Sequence, residues 1–238
     1  MKFIITSLLA FSLQVHSGIF DKPENLKLLD KNISPENLSK VMKNFSRSLG
    51  VRCQHCHVGE EGKSLSTFDF ASDDKQNKKT ARKMMEMVSD IQKNYINKIN
   101  DNSVKMECMS CHRGNNTPKL TKDILMTAYN EGDADDVLVK YNELKEKYYG
   151  THSHDFSEGI LLAVVSMIGD SDTDSVLQLL HFNLSIHPKS GQTLWMLAKT
   201  FQSINDNDKA IEYYKRVNDI RPNPRIQKIL EDLQKTKE

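Results

Sequence analysis

The four cysteines of this 238-residue chain occur in two five-residue motifs, Cys53-Gln-His-Cys56-His57 and Cys108-Met-Ser-Cys111-His112. Both motifs have the pattern C-x-x-C-H. This pattern is typical of covalent haem attachment, because two thiols at this spacing reach the two vinyl groups of one porphyrin and the imidazole that follows can bind the iron. The motifs therefore predict two covalently bound haem c groups, with His57 and His112 as iron ligands.

Two disulfides, or one zinc site made of four thiolates, are the alternative uses of these cysteines. A zinc ribbon usually separates its two C-x-x-C pairs by about 15–20 residues, far fewer than lie between Cys56 and Cys108. Neither a disulfide nor a zinc ion requires a histidine directly after each pair. The haem interpretation accounts for all four cysteines and for both histidines.

Each iron either has a sixth ligand or keeps an open position, and a predicted helix before the first motif carries a candidate methionine. Ser34-Pro35-Glu36 predicts the helix start, and Gly50 predicts its end after Leu49. Met42 lies in the middle of the apolar face, where it either fills a gap in the core or covers and ligates the first haem. That face comprises Leu38, Val41, Met42, Phe45 and Leu49.

A second predicted helix begins near Thr80 and leads to the second motif. It contains Met84, Met85 and Met87, and one methionine of this cluster is the natural sixth ligand of the second haem. The spacing alone does not choose between Met84 and Met87. The apolar face of this helix comprises Met84, Val88, Ile91 and Tyr95.

The stretch from about Asn25 to Pro118 resembles the cytochrome c subunit of photosynthetic reaction centres and its two-haem relatives in non-photosynthetic bacteria. The segments that carry the resemblance are Asn25-Leu-Lys-Leu-Leu, the Met42 helix, Leu49-Gly-Val-Arg-Cys-Gln-His-Cys-His-Val-Gly-Glu, Phe70-Ala-Ser-Asp, Thr80-Ala-Arg-Lys-Met84-Met-Glu-Met87-Val and Cys108-Met-Ser-Cys-His-Arg-Gly.

In that family the helix before each attachment motif supplies an axial methionine. The resemblance therefore implies Met42 with His57 on the first iron, and Met84 with His112 on the second, with Met87 as the alternative. Photosynthetic members carry four haems, whereas this chain has motifs for two. The resemblance does not imply photosynthesis.

The C-terminal half predicts helical repeats. Pro188 and Pro222 are 34 residues apart, the length of a tetratricopeptide repeat, and a more degenerate hairpin precedes them from about Lys122 to Tyr149.

The fold class is thus mainly α, with a signal peptide (1–17), a small di-haem cytochrome c domain (18–119) and tetratricopeptide-like repeats (120–238). The template positions are Ile160, Ala163, Val164, Met167, Val176 and Leu180 in one repeat, and Leu194, Leu197, Ala198, Phe201, Ala210, Tyr214 and Val217 in the next.

Such repeats leave a concave surface that usually binds a protein or a peptide, although they could also serve only to cap the haem domain. A local group of lysines around the start of the second helix is either a solvated face or a docking patch for an acidic redox partner. These lysines are Lys75, Lys78, Lys79 and Lys83.

The overall charge excludes other partners. Lys and Arg number 33 against 32 Asp and Glu, so no overall field favours nucleic acid or an anionic membrane.

Met1-Lys2 and the apolar run from Phe3 to Val15 predict a secretory signal that is cleaved near Ser17. The run is shorter than the about 20 residues that span a bilayer. We therefore expect a periplasmic or otherwise exported protein, which meets a membrane only through partners or an uncleaved signal.

Electron transfer between a donor and an acceptor redox protein is the predicted function. A di-haem enzyme of the peroxidase kind would need an open or displaceable iron site with acid and base groups above it, and no such group of Glu, Arg and His accompanies either motif. A haem-based sensor or scaffold is the other alternative. The sequence thus favours an electron carrier rather than an enzyme.

Overall fold

The computed structural model describes residues 18–99 and 104–235, so the predicted signal peptide, residues 1–17, lies outside the described residues. The described chain is mainly α-helical, as predicted. It divides into two compact units, Met1–Thr117 and Pro118–Glu238. Within the described ranges, no helix is both long and apolar enough to cross a membrane.

Helix α1 (Pro35–Leu49) has the ends that its sequence predicts. The Ser34 hydroxyl accepts a hydrogen bond from the backbone N–H of Asn37 at 3.3 Å, and this bond satisfies one of the free donors of the first turn. At the other end Gly50 adopts a left-handed conformation with φ 64°, and its N–H donates to the carbonyl of Ser46. The glycine therefore ends the helix just before the first motif.

Helix α2 (Gln76–Ile91) begins before Thr80, where the sequence predicted its start. It continues through a π-helical turn, Gln92–Ile96, into a short last turn, Asn97–Ile99. Because a π-helical turn holds more residues than an α-helical turn, it rotates the residues that follow around the helix axis. Tyr95, predicted to share the methionine-bearing face, lies within this turn and is exposed, as Met84 of the same face is.

Irregular chain joins α1 to α2 and carries the first motif. Two short 3-10 turns, Cys53–His55 and Leu65–Thr67, interrupt it. The backbone N–H of Asp69 donates to the carbonyl of Val58 at 2.9 Å, in an isolated antiparallel bridge. This bridge folds the loop back so that the residues after Asp69 return to the first motif.

The second motif forms the five-residue helix α3 (Cys108–His112). The C-terminal unit then contains, in its described part, seven helices in succession. Consecutive helices pack as hairpins, α4 with α5, α6 with α7 and α8 with α9, and α10 packs on α9. The seven helices are α4 (Thr121–Glu131), α5 (Ala134–Tyr148), α6 (Glu158–Ile168), α7 (Thr173–Ile186), α8 (Gly191–Ser203), α9 (Asn207–Ile220) and α10 (Pro224–Lys235).

The C-terminal unit has a continuous apolar core of its own. Two of the predicted positions do not fill apolar slots: Met167 is exposed and Ala163 is only half-buried. Met167 lies on the outward stripe of α6 with Gly159, Ala163 and Ser166, while the opposite side of that helix is buried. The predicted positions that are buried in α8 and α9 are Leu194, Leu197, Ala198, Phe201, Ala210, Tyr214 and Val217.

Candidate haem-binding site

The first C-x-x-C-H motif is wound into a tight turn by its own backbone. The N–H groups of Cys56 and His57 both donate to the carbonyl of Cys53, at 3.2 and 2.9 Å. As a result, the side chains of Cys53, Cys56 and His57 all line one cavity. A turn that presents two thiols and an imidazole to the same space has the arrangement that haem attachment requires.

The second motif reaches the same cavity from a short helix. The backbone N–H of Glu107 donates to the Ser110 hydroxyl at 3.1 Å, within a reciprocal capping box that begins α3. Cys108 and His112 line the cavity, whereas Cys111 is exposed. The second motif thus contributes a thiol and an imidazole to the space that the first motif lines.

The cavity has a volume of about 500 Å³, within the roughly 300–1,000 Å³ of pockets that hold cofactors and small ligands. Apolar side chains surround it from α1, from the chain before α1 and from the returning loop, which comprises Phe68, Phe70 and Ala71 among its lining residues. The predicted site residues that line it are Met42, Cys53, Cys56, His57, Met84, Cys108 and His112.

The N-terminal unit has almost no core of its own. In its described part only Leu38 and Ser48 are buried, while large apolar residues such as Phe45, Phe68 and Phe70 turn towards the cavity. A folded unit normally buries apolar side chains against one another. Apolar side chains that surround a cavity instead fit a large apolar group that occupies it.

His112 is held in the tautomer that an iron ligand needs. Its Nδ1 lies 2.9 Å from the carbonyl oxygen of Asn115. A carbonyl oxygen only accepts hydrogen bonds, so Nδ1 carries the proton and Nε2 keeps its lone pair for a metal. Metal-bound histidines are typically oriented by a hydrogen bond of this kind.

His57 is half-buried beside Phe70, with ring centroids 4.9 Å apart in an edge-to-face arrangement. Burial, followed by the positive charge of Lys78, lowers the pKa of His57, and the carbonyl of Phe70 partly opposes this shift. Its Nδ1 is buried and has no partner in hydrogen-bonding geometry within the described residues. A neutral imidazole at the cavity wall is the form that binds iron.

The cysteines of the two motifs differ in exposure: Cys53, Cys56 and Cys108 are half-buried, and Cys111 is exposed. Burial raises the pKa of Cys56 and of Cys108, whereas zinc binds thiolates. All four cysteines are free, and no cluster of three or more potential metal-binding side chains occurs in the described ranges. Partly buried thiols beside an apolar cavity are compatible with covalent haem attachment.

The methionines of α2 differ in their relation to the cavity. Met84 and Met85 both line it, whereas Met87 does not. Met84 and Met87 are both exposed, at 40% and 46%. Sequence reasoning placed Met85 in the cluster but did not single it out as a ligand candidate. Met85 lies two helical turns after Lys78 and one turn after Arg82, so the three residues share one face of α2. All three line the cavity.

A comparison with protein-family models matches residues 21–143 to the photosynthetic reaction centre cytochrome C subunit. The match covers more than half of the chain and includes both motifs together with α1 and α2. The chain belongs to this cytochrome family. The comparison with curated proteins gave no match.

Family membership confirms the resemblance and implies covalently bound haem c. It also places this cytochrome broadly among electron carriers, whose redox partners are other proteins, and this family is usually exported. The residues around the cavity fit the haem group on three counts. They offer thiols at attachment spacing and a histidine held in the ligating tautomer. They also offer apolar side chains that surround the cavity instead of packing into a separate core.

The end of α1 packs directly on the backbone after the second motif. The N–H of Gly114 donates to the carbonyl of Ser48 at 2.9 Å. A Cβ atom on Gly50 would lie 2.0 Å from the carbonyl oxygen of Gly114. In this cytochrome, therefore, the helix that carries Met42 and the motif that carries His112 are joined backbone to backbone.

We expect Gly50→Ala to destabilise the N-terminal unit more than Gly62→Ala. Both glycines have positive φ, 64° and 80°. Alanine is strained in this left-handed conformation, so each substitution should lower the free energy of unfolding by about 1–2 kcal/mol. Only Gly50 also meets backbone, and displacing that backbone costs about 1–3 kcal/mol more. Chemical denaturation followed by haem absorbance measures the difference. Equal losses for the two variants would show that the close approach does not contribute.

Gln92, at the start of the π-helical turn, holds the chain that enters the second motif. Its Nε2 donates to the carbonyl of Val104 at 3.0 Å, and its Oε1 accepts from the N–H of Met106 at 2.6 Å. One side-chain amide thus satisfies two backbone groups of an extended segment, as a neighbouring strand would. This contact positions the approach to Cys108.

The loop after the first motif is held to α2 by charged side chains. The Asp73 carboxylate accepts from Lys27, Arg82 and Asn25, at 2.7, 2.7 and 2.9 Å, and these hydrogen bonds hold the pKa of Asp73 well below its usual range. Asn77 Nδ2 donates to the carbonyl of His55 at 3.2 Å. These tertiary contacts explain why α2 begins at Gln76 without a side-chain cap of its own.

Proposed function

We propose that this cytochrome binds two haem c groups and passes single electrons between redox proteins. The observation that carries the proposal is that both C-x-x-C-H motifs line one apolar cavity in a unit without another core. Cys53 and Cys56 would attach the first haem, and Cys108 and Cys111 the second. The exposure of Cys111 is compatible with a second haem that lies partly at the surface.

The iron ligands in this proposal are His57 with Met42 and His112 with Met84. Support comes from the cavity, which Met42 and Met84 line together with both histidines. A methionine ligand opposite a histidine raises the reduction potential of haem iron. Because these side chains would leave no iron position open for a substrate, the bound haem would supply electron exchange alone, and this favours a carrier over an enzyme.

The protein's own contribution is to bind, orient and shield. The Asn115 carbonyl orients His112, and Phe70 orients His57. The apolar residues of α1 and the loop residues Phe68, Phe70 and Ala71 would cover part of a bound haem and limit its contact with water. Haem supplies the redox chemistry when it is bound.

We further propose that the C-terminal unit is a tetratricopeptide-like scaffold that docks a protein or peptide. The hairpin pairs α6 with α7 and α8 with α9, and the burial of the predicted positions in α8 and α9, support this assignment. In repeats of this kind the buried faces hold the scaffold together and leave a concave surface for a ligand. The partner would be a redox protein that gives or takes the electron.

Export is part of the same proposal. The cleavable signal predicted at residues 1–17 would direct the export of the chain to which haem c is attached. Intact mass spectrometry of the protein, produced in a host that matures c-type cytochromes, tests haem number and cleavage near Ser17 in one experiment. We expect the mass of the cleaved chain plus two haems. A mass with one haem or none would contradict the di-haem assignment.

Visible spectroscopy of the same sample separates the carrier from its main alternative. We expect both haems to be low-spin in the oxidised and reduced forms, and neither to react with peroxide. A high-spin haem that reacts with peroxide in the unaltered protein would favour a di-haem redox enzyme.

A further inference from the structure

Lys78 is a partly buried cation rather than part of an exposed surface patch. Its side chain is 12% exposed, and its Nζ donates to three consecutive carbonyls, those of Phe70, Ala71 and Ser72, at 2.9, 3.0 and 2.7 Å. The prediction that it belongs to a solvent-exposed lysine group is therefore wrong. Its ammonium group is committed to the loop that returns to the first motif.

The charge around Lys78 is only partly compensated. Asp73 is the one carboxylate that pairs with it in the described residues, at 3.3 Å. The same carboxylate also pairs with Lys27 and Arg82, at 2.7 Å each. Three cations thus share one anion, and the cluster keeps a net positive charge.

This positive cluster lies beside the first candidate haem ligand. Lys78 donates to the carbonyl of Phe70, and the Phe70 ring packs on the His57 ring at 4.9 Å. Lys78, Arg82 and His57 also line the same cavity. A haem held by His57 would therefore lie next to fixed positive charge that water screens poorly.

Resting on the function proposed above, we propose that Lys78 is a positioning residue whose fixed charge raises the reduction potential of the first haem. Reduction of a haem held by His57, by one electron from a redox partner, would lower the charge at that site by one unit. A nearby cation repels the ferric state more than the ferrous state and so favours reduction. Asp73 acts in the opposite sense, because its negative charge offsets part of this effect.

Lys78→Gln tests the proposal by removing the charge and keeping a side chain that can donate to the loop carbonyls. In a redox titration of the full-length di-haem protein followed by visible spectra, we expect one of the two transitions to move to lower potential. A roughly tenfold fall in the ferrous-to-ferric ratio at fixed potential corresponds to 59 mV for a one-electron couple. The other transition should stay in place.

Lys79→Gln is the matched control, because it makes the same change of charge at the next residue, which is exposed. Solvent screens an exposed charge. We therefore expect the ferrous-to-ferric ratio of each haem, at fixed potential, to stay within about twofold of its value in the unaltered protein. Lys78→Arg keeps the charge and should also leave both potentials close to their original values.

Asp73→Asn distinguishes an electrostatic role from a structural one. Loss of its negative charge should raise the potential of the same haem that Lys78→Gln lowers, whereas damage to the loop would move both variants in one direction. Shifts in the same direction, or no shift in either variant, would overturn the proposal. If Lys78→Gln does not mature with two haems, the sign of the Asp73→Asn shift decides.

Haem number is measured on every sample before the titration, and it separates the two proposals. Fewer than two haems in the unaltered protein would refute the di-haem function itself. Two haems with unmoved potentials in the variants would refute only the role of Lys78.

Discussion

Replacing Cys108 and Cys111 together by alanine should leave a chain that carries one covalent haem instead of two. The thioether bonds are the only covalent link between a haem c and its protein, so the second haem would be lost on denaturation while the first is retained by Cys53 and Cys56. Haem absorbance per chain under denaturing conditions should fall by half, and the intact mass should fall by one haem.

Met109→Ala is the matched control for this variant. Met109 lies between the two cysteines, is exposed and is not predicted to touch the attachment chemistry, so the variant should keep both haems. If the double cysteine variant still carries two covalent haems, the second motif is not an attachment site. Bound zinc in the unaltered protein, in place of haem, would instead support the thiolate alternative.

Loss of either methionine that we propose as an iron ligand is the second change with a large expected effect. Met42→Ala should convert the first haem from low spin to high spin, and Met84→Ala should do the same to the second, because each iron would lose its sixth ligand. In each variant about half of the low-spin absorbance should disappear, together with part of the methionine-to-iron band of the oxidised protein. The affected haem should also have a lower reduction potential.

Met87→Ala and Met85→Ala make the methionine test specific. Met87 does not line the cavity, so its loss should leave both haems low-spin. Met85 lines the cavity beside Met84 and is expected to pack against haem without binding iron. If Met85→Ala rather than Met84→Ala gives the high-spin haem, the second iron is ligated by Met85.

Much of the candidate site could be read from short stretches of sequence. Each attachment motif spans five consecutive residues, and its chemistry depends on spacing alone. The ends of α1 were predictable because Ser34 and Gly50 act on the backbone within one turn. The buried positions of α8 and α9 followed from the repeat template for the same reason, since helical periodicity is local.

Other features depended on contacts between distant parts of the chain. Lys78 reads as a surface lysine in sequence, but the loop at Phe70–Ser72 folds over it and provides three carbonyl acceptors. The contacts of Asp73 and Asn77 likewise accompany the start of α2 at Gln76, before the predicted start. Tyr95 lies within the π-helical turn at Gln92–Ile96 and is exposed.

The sequence by itself determined what this protein can attach and where: two C-x-x-C-H motifs, methionine-bearing helices beside them and a separate helical half. Only the tertiary structure decided that both motifs line one cavity, that Met84 and Met85 reach it while Met87 does not, and that a partly buried cation lines it together with His57. The physical reason is the range of the interactions. Spacing and capping act within a few residues, whereas burial and electrostatic environment arise only when segments far apart in the chain pack together.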